Sequence, residues 1–370
     1  MLLQEKKRYD YIDWAKAISI ILIVLGHMLP SGCWPKVLAY SFHVPIFAII
    51  GGVLFSAPKT WRDFGKKCLG FTRRLIIPYI IWFTVFCSFY WMNPETMPSI
   101  AVKSATKDFG ELIKYFFFYE RSTVWNAAMW FMPCYIIISF LFLLFTRISK
   151  GNRIASLCLS ISSFATVVIL EKKEITIDIG EIKNVFGLKN YFLMLGFLAL
   201  GFALRPLFDK CAEFTENPRK NPISYAAIGM FVMVAIICLK CNTAEITKKR
   251  PAGYYTLSMY SGLYNDLVQF IIFAILLSVS LMLVLMLLPK CKPIQLFSRN
   301  SLFIMFSHYL FFTHDSFLSM AKESWKIDMA IGFRDTAYIM LIYLAILWAC
   351  DALFKKYPKT RPFFSLIGIQ

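Results

Sequence analysis

Acidic residues are scarce in this 370-residue chain, where 22 Asp and Glu stand against 40 Lys and Arg for a formal net charge of +18. Charge of either sign is thin, at 17% of residues, whereas soluble domains run to about 25%. Glycine (17) and proline (16) are too few for a collagen-like or low-complexity chain. The ten cysteines are too diluted for a secreted disulfide scaffold. No glycine-rich nucleotide loop, HExxH pair or GxSxG elbow is present, which argues against ATPase, metalloprotease and serine-hydrolase chemistry. Histidine is rare too, with four residues: His27, His43, His308 and His314.

What the chain has in abundance is apolar sequence, at 58% of residues. Ten segments rich in Ile, Leu, Phe, Val and Met fall near 14–30, 38–57, 75–92, 127–147, 154–170, 188–205, 223–240, 264–288, 301–320 and 336–354. Most are long enough to cross the hydrocarbon core as helices, which satisfy their own backbone hydrogen bonds there. The alternation of a membrane barrel is absent. The expectation is an all-α polytopic membrane protein of about ten transmembrane helices, with residues 1–370 as one membrane-embedded domain. An even number of spans places both termini on one side, with the loops 58–74, 147–153, 205–222 and 289–300. That side, with the tail counted from Asp351, holds 23 Lys and Arg against 8 Asp and Glu, while the other holds 15 against 14. The positive-inside rule then puts both termini in the cytoplasm. The basic charge thus follows from topology and needs no nucleic acid, though it also suits an anionic cytosolic ligand.

Ionisable groups inside spans are costly and mark candidate sites. The first span carries Asp13, Lys16 and His27. Eleven residues separate Lys16 from His27, which brings the helix back to within ~20° of the same face and ~16 Å further along. One stripe therefore presents a cation near the cytosolic surface and an imidazole towards the far side. Asp13, three residues before Lys16, is placed to pair with it. In Phe42-His43-Val44-Pro45-Ile46-Phe47 the proline bars a continuous helix through Val44. His43 therefore either starts a helix or sits in a re-entrant turn beside His27. Gly51 and Gly52 follow and permit close helix packing. The stretch 58–74 holds Lys59, Arg62, Lys66, Lys67, Arg73 and Arg74 against one acid, Asp63. It reads as a solvated loop or as a phosphate dock, with Arg73 and Arg74 poised to fork onto phosphate oxygens. His308 is a candidate lining residue, whereas His314 with Asp315 suits the interface. Cys238-x-x-Cys241 stands alone, which is poor support for a metal or redox site.

These residues form a familiar pattern. Tyr11-Ile12-Asp13-Trp14-Ala15-Lys16, running through Ile-rich sequence into Val24-Leu25-Gly26-His27, resembles the opening of the acyltransferase 3 family of membrane-bound acyltransferases. The likeness is nearest to the fucose 4-O-acetylase-like and polysaccharide O-acetyltransferase branch. Phe42-His43-Val44-Pro45-Ile46-Phe47 with Gly51-Gly52 is similar to the family's second-span motif. Trp130-Phe131-Met132-Pro133 looks like its mid-chain Trp-Phe element, and Asn300-Ser301-Leu302 through His308 like its late histidine motif. Arg73 and Arg74 are adjacent where the family often shows Arg-x-x-Arg. The resemblance implies transfer of an acyl group, usually acetyl, from cytosolic acyl-CoA as co-substrate to a hydroxyl of a cell-surface glycan or its lipid-linked precursor. It implies no bound cofactor and a multi-pass place in a bacterial plasma membrane. His27 would be the base or acyl carrier, Lys16 would hold an anion, and Asp13 would orient Lys16. His43, Arg73, Arg74, Trp130 and His308 would bind acceptor or donor. The rival expectation is a transporter or flippase for a lipid-linked sugar or small anion, which would use the same intramembrane charges without chemistry.

Overall fold

A computed structural model describes residues 9–30, 33–92, 127–175, 188–213, 222–249, 259, 264–312 and 329–370. The predicted His314–Asp315 pair lies outside these residues. Among them all regular structure is helical, and nine helical segments are long and apolar enough to span a bilayer. These overlap nine of the ten predicted spans. The other, 301–320, begins as the shorter apolar stretch Ser301–Phe311 and then leaves the described residues.

Helix α1 (Asp10–Met28) stands at the centre. Its Ala15, Ala17, Ile20 and Val24 are fully buried, because neighbours cover it on several sides. They are α3 (His43–Leu54), α11 (Lys292–Arg299), α12 (Ser301–Ser307) and α13 (Met329–Lys356). The second span is broken. Helix α2 (Trp34–Tyr40) ends in a turn at Ser41 and Phe42, and α3 restarts at His43. Pro45 sits in the first turn of α3, where a missing N–H costs no helix bond, so His43 opens a helix. Across the bundle α3 crosses α8 (Leu188–Glu213) at backbone contact: a Cβ at Gly52 would lie 2.0 Å from the Leu198 carbonyl oxygen, and one at Gly201 2.0 Å from that of Ile49. Helix α8 also packs on α7 (Arg153–Lys172).

From Trp61 onward the basic stretch 58–74 is helical, where a solvated loop was one expectation. Thr60 Oγ1 accepts from the Asp63 N–H at 3.1 Å, and Asp63 Oδ2 accepts from the Lys59 N–H at 3.0 Å. This reciprocal cap satisfies two amides that would otherwise lack partners, and it launches α4 (Trp61–Phe71). A five-residue π turn, Thr72–Ile76, then joins α4 to α5 (Ile77–Met92). Trp14 Nε1 donates to the Pro289 carbonyl at 2.9 Å, and Gln370 N donates to Asn300 Oδ1 at 2.8 Å. The start of α1 and residue 370 therefore meet the same 289–300 segment.

Candidate active site

Lys16 opens onto a cavity of about 470 Å³. Four cations line it, each from a different stretch of chain: Lys16 of α1, Lys67 of α4, Arg74 of the π turn and Arg299 of α11. Among the described lining residues there is no Asp or Glu, and Lys67 bridges Asp63 at 3.5 Å from its own helix. Lys67 Nζ is held by the Ser56 carbonyl and hydroxyl at 2.8 and 2.9 Å. Three of the stretches that charge counting assigned to one side, 58–74, 289–300 and the tail through Gln370, thus converge on this one space.

Further along α1 lies a second cavity of about 30 Å³, lined by Ile23, His27, His43, Val44, Phe47, Trp130, Phe131 and Met305. Phe47, Phe131 and Met305 line both cavities, so a wall one side chain thick divides the basic vestibule from the imidazole chamber. His43 Nδ1 lies 2.7 Å from the Ala39 carbonyl. A carbonyl only accepts, so that nitrogen carries the hydrogen and Nε2 is left as the acceptor. His308 is fully buried with Nδ1 3.0 Å from the Ile304 carbonyl. Its ring centroid stands 5.3 Å from that of His27, which Tyr309 meets edge-on at the same distance. Such a chamber can seat a small group beside imidazoles able to accept a proton.

A family model described as an acyltransferase domain matches residues 9–355. The chain belongs to the acyltransferase 3 family. Neither the curated proteins nor the solved structures yield a match.

Every residue singled out in the acyltransferase from its sequence lies inside the matched range, and the fold sorts them into groups. His27, His43 and Trp130 share the chamber, with His308 packed behind His27. Lys16 and Arg74 share the vestibule, whereas Arg73, exposed as Arg74 also is, is absent from its lining. Asp13 is buried, and its Oδ1 accepts from Ser298 Oγ at 2.6 Å, which ties α1 to α11. Cys238 is likewise a packing element, 3.1 Å from Ser41 Oγ and 3.3 Å from Asn242 Nδ2. Among the described residues no cluster of three or more His, Cys, Asp or Glu is arranged to hold a metal. Two cations escaped the sequence reading. Arg299 precedes the Asn300-Ser301 motif, and only its adjacency hinted at a role. Lys36 Nζ donates to the Leu29 carbonyl at 2.8 Å and lies 5.6 Å from the centre of the Tyr40 ring. Tyr40 in turn packs 4.7 Å from the His43 ring, so Lys36 stands behind the chamber with no sequence motif to announce it.

Proposed function

We propose that this acyltransferase takes an acyl group, acetyl in the first instance, from cytosolic acyl-CoA. It hands the group to a hydroxyl of a cell-surface glycan or its lipid-linked precursor, as an O-acetyltransferase of a bacterial plasma membrane. The observation that supports this most is the abutment of the two cavities. CoA is a polyanion, and four cations gathered on one cavity suit its phosphates. Its thioester arm would run along the Lys16–His27 stripe, over ~16 Å of helix, to the chamber. There His27 takes the proton of the acceptor hydroxyl as that oxygen attacks the thioester carbonyl, and the new C–O bond forms as the C–S bond breaks. The proton then passes to the departing thiolate. Should the group pause on the protein, the His27 nitrogen is the carrier, and the hydroxyl attacks in a second step. His43, with Nε2 free to accept, Trp130 and His308 shape the seat of the reacting groups. Lys16, Arg74, Lys67 and Arg299 hold the donor, and Asp13 fixes the helix that carries Lys16.

The test supplies radiolabelled acetyl-CoA and a crude surface-glycan extract to the full chain in nanodiscs, beside His27→Ala. Label should pass to glycan with the parent and be lost with the variant. Equal labelling by both proteins removes His27 from the mechanism. No labelling from any acyl-CoA favours cargo movement over group transfer.

A further inference from the structure

Between the two cavities stand three side chains, and the cavities they divide are very unequal. The vestibule measures about 470 Å³ and the chamber about 30 Å³. The chamber is roughly a sixteenth of the vestibule's size and suits an acyl group of few heavy atoms. An acetyl group has three: methyl, carbonyl carbon and oxygen. Butyryl brings two more methylenes and hexanoyl four. The chemistry of the wall is equally selective. Apart from the rings of His27, His43 and Trp130, the lining among the described residues is Ile23, Val44, Phe47, Phe131 and Met305. A succinyl carboxylate would lose its water there and gain no cationic partner from that lining, a severe cost for a buried charge.

We propose that Phe47, Phe131 and Met305 form a neck that restricts transfer to short, uncharged acyl chains, and that Met305 sets the limit. This rests on the assignment of acyl-CoA as donor. The three neck residues are not equivalent. Phe131 is stacked on Tyr135 at 5.1 Å and meets Trp130 edge-on at 6.4 Å, so its ring is held from both sides. Phe47 belongs to α3, whose backbone touches α8 and leaves that helix little room to move. Met305 sits on the two-turn helix α12, is 5% exposed and carries an unbranched, flexible chain. Shortening it widens the neck while leaving both aromatic rings and the α3–α8 crossing in place.

The experiment measures kcat/KM for acetyl-, butyryl- and hexanoyl-CoA by thiol release, with the crude glycan extract as acceptor and the full chain in nanodiscs. The parent is compared with Met305→Ala, Met305→Leu and Ile23→Ala. One methylene in an apolar pocket is worth roughly 10–200-fold, so the parent should prefer acetyl over butyryl by about 100-fold or more. Met305→Ala should narrow that to under about tenfold by raising the butyryl value. Met305→Leu, close in volume, should keep the parental ratio. Ile23→Ala opens the same chamber from α1 and carries the test if Met305→Ala does not fold. A parent that handles acetyl and hexanoyl alike overturns the neck. So does a folded Met305→Ala protein that binds free CoA normally yet keeps the parental ratio. If the parent neither binds free CoA nor releases thiol from any acyl-CoA, the donor assignment itself fails, and the neck falls with it.

Discussion

At the residue scale, the roles divide between chemistry and charge. His27 touches the chamber and Lys16 the vestibule, so their substitutions should fail differently. His27→Ala should lower kcat by about 10²–10⁴-fold, the range of a lost general base, while binding of free CoA, followed by calorimetry, stays near the parental value. The two adjacent arginines allow a sharper comparison. Arg74 lines the vestibule and Arg73 does not. Arg74→Ala or Arg299→Ala should raise KM for the donor about tenfold or more, as expected from losing a charged hydrogen bond of ~1.5–3 kcal/mol. Arg73→Ala should leave KM within about twofold, because that side chain does not line the vestibule and a solvated charge elsewhere on the surface contributes little. Steady-state kinetics on the three variants decides this. An Arg73 variant as impaired as the Arg74 variant would place the phosphates elsewhere. The histidine and the paired arginines were legible because ionisable side chains in apolar sequence are rare. Which arginine faces inward was not, since adjacent residues on a helix point ~100° apart and the phase depends on the turn that precedes them.

At the element scale, that phase is set by the π turn. Its wider i→i+5 bonding adds one residue between α4 and α5, and this registers Lys67 and Arg74 on one cavity. Deleting Thr72 should take out that extra residue and restore ordinary helix, which shifts Arg74, inside the turn, against Lys67 on the shared wall. Donor KM should then rise while the thermal transition of the protein in detergent is largely kept. Parental KM in that deletion would show the register to be unimportant. The α3–α8 crossing makes the opposite kind of prediction. Gly201→Val pushes a branched side chain into the Ile49 carbonyl, 2.0 Å from the new Cβ. It should cost at least the ~1–3 kcal/mol of an overpacked core, seen as a lost or much lowered thermal transition. Gly65→Ala, with nothing within 4 Å, should be neutral or slightly stabilising, because alanine is the better helix former. The Gly51-Gly52 pair announced close packing in the sequence, but its partner, Gly201, lies on a helix that no local pattern could have named.

At the scale of the whole molecule, charge asymmetry and cavity position coincide. Segments far apart in the chain bring Lys16, Lys67, Arg74 and Arg299 to one mouth, so donor capture should be strongly screened. Between about 0.01 M and 1 M salt the Debye length falls from ~30 Å to ~3 Å. KM for acetyl-CoA should rise steadily across that range while kcat changes little, and a salt-independent KM would argue against the vestibule as the anion site. The sequence by itself determined the class of the molecule: apolar runs long enough for helices that satisfy their own backbone, a one-sided excess of lysine and arginine, and a Lys-to-His stripe whose spacing is a property of any α-helix. Local and periodic features of this kind are carried by a single stretch of chain. Tertiary structure alone decided that Asp13 bonds to Ser298, that Arg299 joins the cations, and that Phe47, Phe131 and Met305 come together from three helices between two cavities. Those outcomes depend on the way helices cross and on the space left between them, which exists only once the bundle is packed.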